Sequence, residues 1–196
     1  DRVKSVTAVF EAITKYKLSI STEGGGKIRE SEGGLVGTAQ FTDSILFYQG
    51  AKVSITASAN KGWVFMGWSG DAIGTQHPEV QAMDRNKEVK ATFGTNLETV
   101  VTGKGRLLID PPEGPYVYGI NVKINPVPDA GYYLGVWGGD AFGMEKGPIE
   151  FEINKANPKI TSLFVPLKEN RFTVTTLASS GGSVVSNPNS NAYVNG

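Results

Sequence analysis

The sequence predicts an all-β chain, mainly antiparallel, made of small β modules in tandem with little or no helix. Three observations carry that expectation. Short runs of Val, Ile, Thr and aromatic residues are punctuated by 25 glycines and 10 prolines, which is the composition of strands and turns. A helical period of apolar residues is hard to find in any window, and the best candidate, 78–87, is short and polar and reads as a turn or one helical turn. The chain also repeats itself. Gly62-Trp63-Val64-Phe65-Met66-Gly67-Trp68-Ser69-Gly70-Asp71 returns as Gly131-Tyr132-Tyr133-Leu134-Gly135-Val136-Trp137-Gly138-Gly139-Asp140, with glycine first, tryptophan seventh and Gly-Asp last in both.

Each element follows from a second round of self-similarity. Residues 1–10 match 84–93, sharing Asp, Arg, Lys, Val, Ala and Phe, and a looser copy runs over 154–164. Each reads as the closing strand of a module, so 1–11 is assigned to a module that begins before Asp1. Module openings recur at Tyr16, Leu97 and Arg171, each an apolar strand, a glycine turn and a second strand, the signature of a hairpin. An aromatic–glycine step follows at Tyr48 and Gly50, at Tyr118 and Gly119, and at Tyr193 and Gly196. After it, Val53, Ile55 and Ala57 alternate with polar residues, as Val122 and Ile124 do, the pattern of strands buried on one face.

The spacings agree. Gly26 to Gly105 is 79 residues and Gly105 to Gly182 is 77, while Trp68 to Trp137 is 69. A ten-residue insertion over 31–46 accounts for the longer first module and reads as a longer hairpin or loop. The organisation is therefore a closing strand (1–11), module one (16–94), module two (97–166) and the front half of a third (171–196). Cutting each module at the aromatic–glycine step also yields two complete units. Joints of three to five residues imply a semi-rigid rod. The cut ends imply unpaired strand edges that pair with a neighbouring molecule, dock on an adjacent module or are poorly ordered.

Composition narrows the function. Nineteen basic residues balance 19 acidic ones, which argues against nucleic acid or an anionic membrane as the main partner. No apolar run is long enough to insert in a membrane. Without cysteine there is no disulfide frame, thiolate nucleophile or Cys-ligated zinc. The single histidine, His77, has no counterpart in the second module and reads as exposed. Gly24-Gly25-Gly26 lacks the Lys-Ser/Thr of a phosphate loop, and Glu30 and Glu32 have no acid facing them across a cleft. No catalytic, cofactor or metal residue is expected, and the chain does not read as an enzyme.

The repeated aromatics admit two readings. A module of 70–80 residues has a stability of about 4–11 kcal/mol, and truncating a buried Trp costs about 3–5 kcal/mol. Core packing alone therefore explains the recurrence of Trp68 and Trp137, with Phe65, Leu134, Phe93 and Phe164 as their companions in the core. The rival reading, a stacking face for a sugar ring, suits Trp63, Tyr132 and Tyr133, which lie at strand starts out of phase with Trp68. Asp71 and Asp140 read as turn residues accepting local backbone N–H bonds, because a calcium loop needs several carboxylates.

The order strand, Gly-Gly, strand, Tyr-x-Gly (48–50), Val-x-Ile-x-Ala (53–57), the frame 62–71, then Lys-x-Val-x-Ala-x-Phe (87–93) resembles the divergent internalin B-type repeat of bacterial surface and secreted proteins. Module two departs from it: Pro126 replaces the Ala, Leu134 the Phe, and Ser162-Leu163 stands where Ala-x is expected. The resemblance implies a small module distantly similar to the β-grasp fold, used in tandem on large extracellular proteins, with no catalytic residues to carry over. It implies a spacer or stalk with adhesive potential, located outside the cell or on its surface. Its partners would be neighbouring modules and a cell-surface or polysaccharide ligand. The alternative is a carbohydrate-binding accessory module of a secreted polysaccharide-active enzyme.

Overall fold

The computed structural model describes residues 12–31, 36–38, 42–168, 171–172 and 193–194, together with Lys4 and Thr7. No helix occurs among them, and most strand pairings are antiparallel. They form two compact units. One runs up to Ser58 and resumes over Phe65–Thr92; the other comprises Ala59–Val64 and the chain from Phe93 onward. The expectations for 1–11 and for most of 171–196 lie outside the described residues.

The first unit is built from β1 (Lys15–Glu23), β2 (Gly26–Glu30), β3 (Val36–Thr38), β4 (Asp43–Tyr48), β5 (Lys52–Ala59), β6 (Val64–Gly70), β7 (Glu79–Ala82) and β8 (Lys87–Thr95), of which Ala59, Val64 and the end of β8 from Phe93 belong to the second unit. Alternation sets which side chains go in: Leu18 and Ile20 on β1, Val53, Ile55 and Ala57 on β5, and Val89 and Ala91 on β8 are buried, with polar residues between them. β1 lies between two partners, parallel to β8 and antiparallel to β4, and β6 adds to β8. A second sheet runs in the order β3-β2-β5-β7. The opening and closing strands of the repeat thus lie side by side.

The insertion, expected as a longer hairpin or loop, is hairpin-like, with β3 antiparallel to β2, and one sequence expectation changes. The inserted stretch contributes β3 and most of β4, and β4 covers the edge of β1 from Lys15 to Ile20. The segment read as a turn, 78–87, contains β7, which pairs with β5.

The second unit contains β9 (Glu98–Thr102), β10 (Gly105–Asp110), β11 (Tyr116–Val117), β12 (Asn121–Pro128), β13 (Tyr132–Gly139), β14 (Ile149–Glu152) and β15 (Lys159–Pro166). It repeats the plan of the first. β9 runs parallel to β15, β13 pairs antiparallel with β15, and β12 lies between β10 and β14. Its core gathers Val122, Ile124, Leu134, Trp137, Ile149, Phe151, Ile153, Ile160 and Phe164, with Tyr116 and Ala141. Beyond β15 come β16 (Arg171–Phe172) and β17 (Tyr193–Val194).

One register recurs three times. Lys15 and Tyr16 face Tyr48 and Phe47; Gly94 and Thr95 face Val117 and Tyr116; Arg171 and Phe172 face Val194 and Tyr193. The aromatic–glycine step that follows has a backbone role. Gly50 N–H donates to the Met83 carbonyl and Gly119 N–H to the Ile153 carbonyl, both at 2.8 Å. Both glycines have φ near the left-handed region, +82° and +80°, which side-chained residues resist.

Candidate functional site

The repeated decapeptide forms the same clasp in each unit. Trp68 and Trp137 are buried, and each indole N–H donates to a carbonyl of the loop that follows: Trp68 Nε1 to Gln76 O at 2.7 Å and Trp137 Nε1 to Gly147 O at 3.1 Å. The indole fills the core and its one polar atom ties the loop down, so burial leaves no donor unsatisfied. Leu134, Phe93 and Phe164 are buried as well. Phe65 is only half-buried, its ring edge-on to Trp68 at 5.1 Å and stacked on the exposed His77 at 5.4 Å.

The Gly-Asp pair closes the clasp from the other side. Asp71 N–H donates to the Glu88 carbonyl at 2.8 Å, and Asp71 Oδ2 accepts the Glu88 N–H at 2.7 Å. Asp140 does the same with Lys159, at 2.8 Å in both directions. The remaining carboxylate oxygen of each meets a cation at 2.5 Å, Arg85 for Asp71 and Lys155 for Asp140. These bonds are not local, as the sequence reading supposed; they span 17 and 19 residues to the closing strand. Gly70 and Gly139 permit the approach, because a Cβ at either would collide with the very carbonyl, Glu88 or Lys159, that the Asp N–H reaches.

The electrostatic consequence is plain. The Arg85 hydrogen bond, followed by the Glu88 N–H, holds the Asp71 carboxyl below its ordinary range, and Lys155 followed by the Lys159 N–H does so for Asp140. Both carboxylates are ionised, which does not suit a general acid, and each oxygen already accepts a hydrogen bond within the clasp. No group of metal-binding side chains occurs among the described residues.

The repeated frame extends three residues further than the sequence reading took it. Ala72 and Ala141 are buried, Gly74 and Gly143 have φ of +83° and +85°, and between them Ile73 and Phe142 stand 81% and 79% exposed. Each clasp therefore ends by holding one large apolar side chain out in water. Aligning the two copies past Gly-Asp is the signal that finds them.

The three residues considered for sugar stacking are not brought to one face. Trp63 is half-buried in the second unit, its ring 5.9 Å from that of Tyr118 and tilted by 47°. Tyr132 and Tyr133 are neighbours on β13 and so point to opposite sides of the sheet. Tyr132 packs against the core with the Lys104 ammonium 5.5 Å above its ring, and Tyr133 lies beside Val165.

Residues 16–97 and 95–167 each match the family model of the divergent InlB B-repeat domain. No curated protein and no solved structure matches the chain.

Proposed function

Since this chain belongs to the divergent InlB B-repeat family, with two copies of the repeat covering most of its length, we propose that it is a non-catalytic spacer segment of a bacterial surface protein. Its role is to set the reach of other domains and to offer adhesive surface on the way. The observation that carries this reading is the consumption of distinctive chemistry inside the fold. Both indoles and both aspartates are used to tie loops to closing strands, and the same ties recur in each unit. That is the arrangement of a unit selected for being strung in series. The family's use on bacterial surface proteins supports an extracellular or cell-surface location.

Pulling single molecules by their ends tests the reading. Two unfolding events are expected, one per repeat. Each should release about 70–80 residues, which at about 3.3–3.6 Å per extended residue is roughly 25 nm. A single event releasing the whole chain would count against independent units in series. The Trp63–Tyr118 pair supports a second reading, the carbohydrate-binding accessory module. Retardation of the chain in a polysaccharide gel, abolished by Trp63→Ala, would decide for it.

A further inference from the structure

The second unit is not made from one repeat. The family matches run over 16–97 and 95–167, yet Ala59–Val64, from the middle of the first match, belongs to the second unit. This stretch lies where β5 gives way to β6. Trp63 N–H donates to the Asn60 carbonyl at 3.0 Å, closing a turn in which Gly62 has φ of +82°. Repeat two makes the same turn. Tyr132 N–H donates to the Asp129 carbonyl at 3.0 Å, and Gly131 has φ of +81°.

The surroundings of the two turns differ. The Gly131 carbonyl accepts the Leu167 N–H at 2.8 Å, and a Cβ at Gly131 would meet nothing within 4 Å among the described residues. The Gly62 carbonyl instead accepts from Thr95 Oγ1 at 2.7 Å, and Thr95 Oγ1 accepts the Asn157 N–H at 2.8 Å, with Asn157 Oδ1 3.3 Å away. Thr95 is buried, so its hydroxyl joins the turn of repeat one to the start of the closing segment of repeat two. Asn157 has φ of +45°, a conformation that Asn tolerates better than most residues. A Cβ at Gly62 would come within 2.7 Å of Asn157 Nδ2 and 3.0 Å of Ala156 Cβ, so the turn is seated closely. Trp63 adds its ring against Tyr118 at 5.9 Å. Where repeat one has Thr95, two residues after Phe93, repeat two has Pro166, two residues after Phe164, and proline has no hydroxyl to offer.

We infer that the turn 60–63 is the part of repeat one that holds repeat two folded, with the Thr95 hydroxyl as its lock, so that the second unit reaches full stability only with the preceding repeat in place. In repeat proteins, stability is the sum of each unit's own term and terms from its neighbours. Here the neighbour term is one turn and one hydroxyl. That hydroxyl donates in one direction and accepts in the other, so an isosteric valine would leave a carbonyl without a donor and an N–H without an acceptor at a buried place. The second unit keeps a core of its own, so the lock adjusts its stability without merging it with the first. The inference concerns folding and stands whether the chain is a spacer or a reader of polysaccharide.

Hydrogen exchange on the whole chain tests it, because the slowest amides report the opening of each unit separately. Gly62→Ala and Gly131→Ala form a matched pair: the turn and φ are the same, but only the first drives a methyl against Asn157. Gly62→Ala is expected to speed exchange on β12, β13 and β15 about tenfold more than Gly131→Ala does. Thr95→Val is expected to speed the same amides about tenfold, and Thr95→Ser, which keeps the hydroxyl, to recover most of that loss. In Gly62→Ala and Thr95→Val, the slow amides of β1 should respond less than those of the second unit. A second unit that responds no more than the first overturns the inference. Equal effects of Gly62→Ala and Gly131→Ala, or of Thr95→Val and Thr95→Ser, overturn it as well. Circular dichroism checks that each variant folds; should Gly62→Ala fail to, the two Thr95 variants decide alone.

Discussion

Removing the hydroxyl of Ser162 is expected to stabilise the second unit. Ser162 sits on β15 opposite Trp137 on one side and Val101 on the other, is buried, and its Oγ has no hydrogen-bond partner. The first unit has Ala91 at the equivalent place, facing Thr22 on β1 as Ser162 faces Val101 on β9. A buried hydroxyl without a partner costs about 1–3 kcal/mol in desolvation. Ser162→Ala removes one atom from the core and returns most of that cost, a net gain of about 1 kcal/mol. For a domain of this size, that raises the melting temperature by roughly 4–8 °C. Differential scanning calorimetry of the whole chain measures it, with Ala91→Ser as the converse substitution, expected to lower the stability of the first unit by about 1–3 kcal/mol. A Ser162→Ala variant that melts lower than the wild type would show that the hydroxyl is bonded after all, and the reasoning would be wrong.

The clasp supports three further expectations. Trp137→Phe keeps most of the packing but loses the bond to Gly147 O, so it should cost less than Trp137→Ala, for which about 3–5 kcal/mol in urea melts is expected. Asp140→Ala strips the Lys159 N–H of its acceptor and should cost about 1–2 kcal/mol at neutral pH. Because the Asp140 carboxyl is held below its unfolded value, its contribution is complete above the ordinary carboxylate range and fades as pH falls below about 4. The gap between wild type and variant in melting temperature should close over that interval and not at higher pH. Phe142→Ser, in contrast, alters a side chain already in water, and equilibrium unfolding should change by no more than about 0.5 kcal/mol; a larger loss would mean that the ring is packed in solution.

What the sequence disclosed and what it hid divide along a physical line. Short-range regularities were legible: alternation on β5 and β12, the glycines at the turns, and the offset between copies all depend on neighbours in the chain. Long-range ties were not. Asp71 and Asp140 announce a turn, but their true partners lie on the closing strand, and nothing in the local pattern points there. The parallel pairing of first and last strands was hidden for the same reason. The missed strand β7 is the sharper case. Its alternation is inverted, with Val80 54% exposed and Gln81 buried, its amide donating to Glu79 Oε1 at 3.0 Å. A hydrophobic pattern read on Glu-Val-Gln-Ala puts the wrong residue inside.

The copy in the second unit resolves it, because β14 carries Ile149 and Phe151 inward and Glu150 and Glu152 outward in the ordinary way. Phe151 faces Val122 where Gln81 faces Val53. In a repeat chain, then, an ambiguous strand in one module is best read through its counterpart in the next, since shared register constrains both while local composition constrains each alone. The same comparison, carried past Gly-Asp, exposes Ile73 and Phe142, and carried to the sheet edge it sets a β4 that pairs with Lys15–Ile20 against a β11 that pairs with Gly94 and Thr95 alone. Comparison of like units thus separates what the fold requires, such as the buried Trp68 and Trp137, from shared side chains that its packing does not use, such as Ile73 and Phe142.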